Sequence, residues 1–285
     1  LVYAMFGAAW LISRQRKVRY WIPAACSVLA LCAVLTVNAV QLQRTSTVTA
    51  LDVSQGQSIV FSSGRACAVV DCGGRFTAED PGDLAARKLL AQGHRSLDLL
   101  VLTHPHDDHV NGVLRLMHWL PVRTLVIPAA ADTTQAPLSD ILALAEENHT
   151  AVVRVDAERT VTAGGISVHL YPEPCAGQED GSMIVLASIG DYDTLVPGDV
   201  DTTAEVKFLS SCTYPGIELL LVGHHGSKQS TSDAWLDAIA PDAAIISVGY
   251  NTYGHPTSET LERLQAHNIP IYRTDQMGGI TVHLS

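Results

Sequence analysis

The first 44 residues contain no aspartate or glutamate, so all 29 acidic side chains lie beyond them. Basic residues divide differently: five of the 18 Lys and Arg (Arg14, Arg16, Lys17, Arg19, Arg44) fall in that opening stretch and 13 follow it, which leaves residues 45–285 with a net charge of −16. So acidic a domain cannot attract nucleic acid over a broad face; a polyanion would have to be held by metal ions and a few local cations. CxxC spacing is also missing. Cys67, Cys72, Cys175 and Cys212 therefore do not form a zinc ribbon, and an oxidising compartment would permit disulfides among them without fixing the pairing; structural roles are expected for all four. A hydrophobic content of 47% excludes disorder and is ample for a core in a chain of 285 residues.

Charge is absent from Tyr20 to Val40 as well, a run of 21 residues. About 20 apolar residues span the hydrocarbon core, so a transmembrane helix is expected there, with Tyr20-Trp21 at its interface. Cys26 and Cys32 would be small apolar residues within it. Leu1 to Ile12 is apolar too and precedes the basic loop Ser13 to Arg19. It reads as the end of an earlier span rather than a signal peptide. Residues 1–44 are thus expected to be the membrane segment of a multi-pass protein of which this chain is a C-terminal piece. The basic loop marks the cytoplasmic side, which predicts an extracytoplasmic domain at 45–285.

From Thr47 the pattern becomes short β-rich runs: VTALDV, SIVF and CAVVDCGG predict an opening antiparallel sheet. Helices then alternate with strands. Helices are predicted at 81–92, 110–119, 137–149, 200–210, 231–240 and 256–266, and strands at 97–103, 123–127, 151–155, 166–171, 182–189, 192–197 and 217–222, with AAIISVG, IPIYRT and GGITVHL closing the chain. Two mixed sheets sandwiched by helices satisfy this order, an α/β architecture with its loops of interest at one edge.

The densest chemistry follows the apolar run Leu99 to Leu102. His104 and His106 lie two apart in an extended segment and can face one ion, while Asp108 and His109 open the next helix and turn toward a second. Three His and two Asp within six residues would be costly beside a core unless they bound something. Asp199 ends another apolar strand after Pro197-Gly198; it could bridge two cations or cap the following helix. A third strand runs into His224-His225-Gly-Ser227-Lys228. One of the two His can ligate a metal, and the other, with Ser227 and Lys228, could hold an anion. His255, between a strand and a helix, could touch a phosphate or act as general acid, or could pack as a helix-entry residue.

The ordered motifs DVSQGQS (52–58), VVDCGG (69–74), LTHPHDDHVNG (102–112), PGD (197–199), GHHGSK (223–228), SVGYNTYGHP (247–256) and RTDQMGGI (273–280) resemble the C-terminal metallo-β-lactamase-like domain of ComEC-type DNA-internalisation competence proteins. The resemblance implies an αββα sandwich preceded by a transmembrane helix. It also implies a nuclease that degrades the non-imported DNA strand beside the channel part of the same protein, in company with other competence proteins. One metal would use His104 and His106. The second would use Asp108, His109 and one of His224 or His225, with Asp199 bridging and Asp71 orienting the histidines. Asp108, Lys228 and His255 would serve catalysis, and Ser227 the phosphate. Two divalent ions, manganese or zinc, are the expected cofactors.

Several positions depart from the family pattern. Gln57 stands where an acid is common and Ser54 where Gly is common. No third His precedes Asp199, the segment there reading Gln178-Glu-Asp-Gly-Ser182. An oxygen-rich first site would favour manganese or magnesium over zinc. Rival readings are another ester hydrolase of the same fold, such as a phosphorylcholine esterase or lactonase, and a metal-stabilised scaffold that guides DNA without cutting it.

Overall fold

Near-continuous apolar runs suit strands buried on both faces. The computed structural model describes Gly7, Trp10, Leu11, residues 21–172, Pro174 and residues 182–284, and builds these runs into two seven-stranded sheets. One sheet has the order β14-β1-β2-β3-β4-β5-β6, from β1 (Ser46–Ala50), β2 (Ile59–Ser63), β3 (Ala66–Val70), β4 (Leu97–Val101), β5 (Val122–Pro128), β6 (Ala151–Val155) and the C-terminal β14 (Ile280–Leu284). The other has the order β13-β12-β11-β10-β9-β8-β7, from β7 (Arg159–Ala163), β8 (Ile166–Tyr171), β9 (Ile184–Ile189), β10 (Tyr192–Val196), β11 (Leu219–Leu221), β12 (Ala243–Ile246) and β13 (Ile271–Arg273). Strands β3 to β6 run parallel, as do β10 to β13.

Alternation along each strand feeds two cores. In β3, Ala66, Ala68 and Val70 join Val168, Val185, Val196 and Ile245 of the second sheet between the layers, while Cys67 and Val69 pack outward. The outward side meets Ala85, Leu89, Leu116 and Ile141 from the helices Pro81–Ala91, Val113–Trp119 and Leu138–Glu147. Across the molecule Phe208, Trp235 and Leu264, from the helices Thr202–Ser211, Asp233–Ile239 and Ser258–Ala266, cover the second sheet against Leu195 and Leu220. The result is the expected αββα layering. Each fully buried Leu, Ile or Phe contributes about 1.5–3 kcal/mol, so the core fixes the strand edges on which the loops sit.

Two local expectations differ from the structure. The predicted helix 110–119 is two, Asp107–Val110 and Val113–Trp119, because Gly112 interrupts it. Gly112 donates to the Cys72 carbonyl (2.9 Å), and a Cβ there would lie 2.6 Å from the Gly82 nitrogen, so the chain breaks to let two loops meet. Strand β7 was not anticipated; four of its five side chains are partly or fully exposed, and it is an edge strand joined to β8 through Gly164-Gly165. No disulfide joins the described cysteines to one another; Cys67 and Cys72 are buried, and Cys175 lies outside the described residues.

Residues Trp21–Arg44 form one helix within a separate compact unit, Leu1–Thr45. Val28, Leu29, Val34, Leu35 and Val37 on it are exposed. Among the described residues no helix is long and apolar enough to cross a membrane. The span expected at 20–40 therefore rests on the sequence, and the basic loop Ser13 to Arg19 lies outside the described residues.

Candidate metal centre

The candidate residues gather at one edge because each follows the carboxyl end of a strand: Asp71 after β3, His104 to His109 after β4, Asp199 after β10, His224-His225 after β11 and His255 beyond β12. Ligand sites in such sheets open at that edge, where no further strand residue closes the space. The loop Ser54 to Ser58 reaches it as well, since β2 is antiparallel to β3. Ser54 adopts a left-handed backbone (φ 59°), a conformation that glycine takes without strain.

Asp71 is fully buried and organises the histidine loop. Its Oδ1 accepts from the Thr103 backbone N–H (2.7 Å), and its Oδ2 accepts from Gln57 Nε2, Thr103 Oγ1 and His109 Nδ1, each at 2.7 Å. Gln57 thus donates where an acid would set two carboxylates face to face. Because the Thr103 hydroxyl proton goes to Asp71, its oxygen is left to accept from His104 Nδ1–H (3.1 Å). His225 Nδ1 donates to the Ser247 carbonyl (2.8 Å). In all three histidines the Nδ1 proton is therefore engaged, and Nε2 faces inward.

Those three Nε2 atoms, together with Asp199 Oδ1, are buried without a hydrogen-bond partner. An unsatisfied buried polar atom costs about 1–3 kcal/mol, and a cluster of four calls for a ligand. Imidazole nitrogen and carboxylate oxygen suit a divalent cation. Ligand atoms of His104, His106 and Asp199 lie within 4.8 Å of one another, as do those of Asp108, His109 and His225. Asp199 sits between the sets, 3.7 Å from His104 Nε2, 3.2 Å from His109 Nε2 and 3.8 Å from His225 Nε2. The donor set fits two ions sharing one carboxylate.

Electrostatics agree with this geometry. Burial pushes the His104 imidazole well below its usual pKa, with the neighbouring His109 charge adding to it. His109 is held well above its usual value because the Asp199 and Asp71 carboxylates outweigh the burial that opposes the imidazolium. Burial would raise Asp199, yet the His109 and His225 charges hold it well below the ordinary carboxylate range. The buried acids thus demand positive charge between them, which either a proton on His109 or a cation supplies.

His224 and His225 both adopt left-handed backbone (φ 49° and 53°). Such conformations cost about 1–3 kcal/mol each and persist where the surroundings enforce them. The kink separates the two rings: His225 is buried with Asp108 and His109, whereas His224 is partly exposed on the cavity wall, 3.7 Å from Asp199 Oδ2.

A cavity of about 270 Å³ opens over the cluster, lined by Gln55, Arg75, Tyr253 and His255 besides His106, Asp108, Asp199, His224 and His225. Lys228 is not among the lining residues. Ser227 leaves the His turn in extended backbone (ψ 145°), so Lys228 is exposed. The Ser227 hydroxyl accepts from the Gln229 nitrogen (3.3 Å) instead of facing the cavity. The cation on the wall is Arg75, whose Nη2 lies 3.4 Å from Asp107. Motif reading missed it, since a single Arg after VVDCGG carries no spacing signal.

His255 does reach the cavity, its ring 5.5 Å from that of His224 and its Nδ1 buried without a partner; burial lowers its pKa, reinforced by His224 and His225. Its loop is pinned by Asn251, which accepts from the Tyr253, Gly254 and His255 nitrogens and donates to the Gly249 and His255 carbonyls. His169, in β8, bonds Thr160 (2.9 Å) away from the cluster, and residues Gln178 to Gly181 lie outside the described residues.

Two seven-stranded sheets between layers of helices, with His and Asp side chains gathered at one edge, define a metallo-β-lactamase-type hydrolase fold. The family model of the metallo-beta-lactamase superfamily matches residues 51–250, and the chain belongs to that superfamily. It is similar to ComE operon protein 3 of Bacillus subtilis (strain 168), with 30% identity over 251 residues covering 81% of this chain and 32% of the relative. Competence protein ComA of Neisseria gonorrhoeae is 30% identical over 239 residues, covering 82% of this chain and 31% of the relative. These are ComEC-type competence proteins, and the chain spans about a third of their length. Among solved structures the metallo-beta-lactamase fold protein YhfI from Bacillus subtilis superposes with a TM-score of 0.56 at 14% identity, over 84% of this chain and all of that one, a likeness of fold.

Proposed function

We propose that residues 45–285 form a metal-dependent phosphodiesterase that cuts DNA beside a membrane channel and removes the strand that is not imported. The observation that carries this reading is the convergence of three orphaned imidazole nitrogens and Asp199 at one cavity, in a chain similar to competence proteins. His104, His106 and Asp199 would hold one divalent ion, and Asp108, His109 and His225 the other, with Asp199 shared. Manganese or zinc in these positions would supply an activated water and offset phosphate charge. The chain's own residues supply orientation: Asp71 directs His109 itself and His104 through Thr103. His255, kept neutral by burial, would hold the phosphate or the leaving oxygen through a ring N–H, and Arg75 would hold the strand at the mouth.

The charge-free run Tyr20 to Val40 in the sequence, with the exposed apolar side chains of Val28, Leu29, Val34, Leu35 and Val37, supports membrane attachment in a multi-pass protein, since such a surface is stable against lipid or other helices. On that reading the domain lies outside the cytoplasm, and its partners are the channel part of the full-length protein and other competence proteins. The net charge of −16 favours two rivals, hydrolysis of a neutral or zwitterionic ester and a scaffold that guides DNA uncut. One assay separates the three: single- and double-stranded DNA, bis-p-nitrophenyl phosphate and a lactone are each incubated with the protein, with and without manganese. Metal-dependent cleavage of DNA is expected. Turnover of the lactone alone, or of nothing with any divalent ion, overturns the nuclease reading.

A further inference from the structure

We propose that Phe76, Tyr250 and Tyr253 form a base-stacking platform beside the metal centre, which makes the site select unpaired nucleotides over duplex; this rests on the phosphodiesterase reading above. Aromatics are scarce in the chain, with four Phe and eight Tyr, yet these three are 60%, 72% and 56% exposed at one place. Phe76 and Tyr250 meet edge to face, their centroids 5.8 Å apart at 86°, so each leaves a ring face free. Tyr253 lines the metal cavity itself, next to Arg75, which directly precedes Phe76. The platform and the cavity therefore adjoin through that Arg.

Surroundings indicate what lies on these rings. Phe76 and Tyr250 border a depression whose other charged side chains, apart from Asp52, are already paired, Glu79 with Arg87 and Asp275 with Arg273, so it offers no free cation to a phosphate and leaves the rings to an uncharged aromatic base. Phe76 is held in left-handed backbone (φ 59°), an outlier for a bulky residue, and the strain serves no core, because the ring faces solvent. Tyr250 and Tyr253 flank Asn251, whose five hydrogen bonds pre-set the loop, so little conformational freedom is lost when a ligand docks. Away from the metal centre and Arg75, a domain of net charge −16 gains little from tracking phosphates, so stacking is the further source of affinity for a strand. Bases inside a duplex are already stacked on one another and cannot use it.

The test compares oligothymidylate with a strand of the same length built from abasic nucleotides, equal in phosphates and charge, on the full chain with manganese. Stacking of one base changes affinity by about 5- to 150-fold, so the wild type should show a KM lower by about that factor for oligothymidylate. A duplex containing the same strand should behave like the abasic one. In the Phe76→Leu/Tyr250→Leu/Tyr253→Leu variant the ratio of the two KM values should fall toward 1. Equal KM values in the wild type, or a preference that survives all three substitutions, overturns the platform. If the wild type cleaves no phosphodiester, the phosphodiesterase reading fails; the same two strands are then compared by equilibrium binding, where a base preference lost in the variant upholds the platform and its absence overturns it.

Discussion

Replacing Asp71 by Asn tests whether the histidine loop is aimed by one buried carboxylate. Asp71 accepts four hydrogen bonds, one at Oδ1 and three at Oδ2. An amide offers one acceptor and one donor group, so its best fit keeps the carbonyl at the Oδ2 position and points NH2 at the Thr103 N–H. That contact leaves two buried donors without an acceptor, the Thr103 N–H and the new NH2, at about 1–3 kcal/mol each, and weakens three bonds that had a charged acceptor. For a domain of this size the loss lowers Tm by roughly 2–4 °C per kcal/mol, so a drop of about 4–24 °C is expected with the fold retained. The larger effect falls on metal. His109 loses the acceptor that fixes its Nδ1 proton, and His104 loses the same through Thr103, changes that typically weaken metal binding about 10- to 100-fold. Titration calorimetry with manganese and thermal melts of the apo-protein separate the two consequences. Metal affinity within a factor of three of wild type in a folded Asp71→Asn protein would refute the assignment.

Asp108→Asn should abolish hydrolysis while leaving the fold intact, because the amide keeps the shape but loses the charge that offsets a cation; full metal-dependent DNA cleavage by this variant would sink the two-ion centre. Arg75→Ala should raise KM for a phosphodiester about tenfold or more while Lys228→Ala changes it less than twofold, since only Arg75 lines the cavity; the reverse order in steady-state kinetics would return Lys228 to the site. Burial pushes the His94 pKa below its ordinary value of about 6.5. The unfolded chain therefore binds the extra proton first, so this contribution to stability is full above pH ~6.5 and is lost as pH falls below it. His94→Asn should flatten the fall in Tm between pH 7.5 and 5.5, and an unchanged slope contradicts the sign. A piece comprising residues 45–285 should unfold cooperatively in water, because every sheet and the metal cluster lie in the unit Ser46–Ser285; recovery only in detergent contradicts that.

The sandwich was legible because its strands are buried on both faces and write themselves as apolar runs, and because ligand types follow those runs directly. That His104, His106, Asp108, His109 and Asp199 gather at one edge needed no long-range information beyond that. What escaped depends on backbone direction. Lys228 looked like a phosphate ligand by adjacency, but two successive left-handed histidines and an extended Ser227 send it outward, a turn that no side-chain pattern encodes. The same kink parts the two rings of the dipeptide, seating His225 with Asp108 and His109 and leaving His224 on the wall. Thr103 escaped for a different reason. Its role exists only through Asp71, 32 positions earlier, which takes its proton and so makes its oxygen an acceptor for His104. A hydroxyl has two possible roles until its partner is known, whereas a carboxylate has one. Orienting residues are therefore harder to read from sequence than ligands, and Asn251, whose five bonds all fall within residues 249–255, is another case.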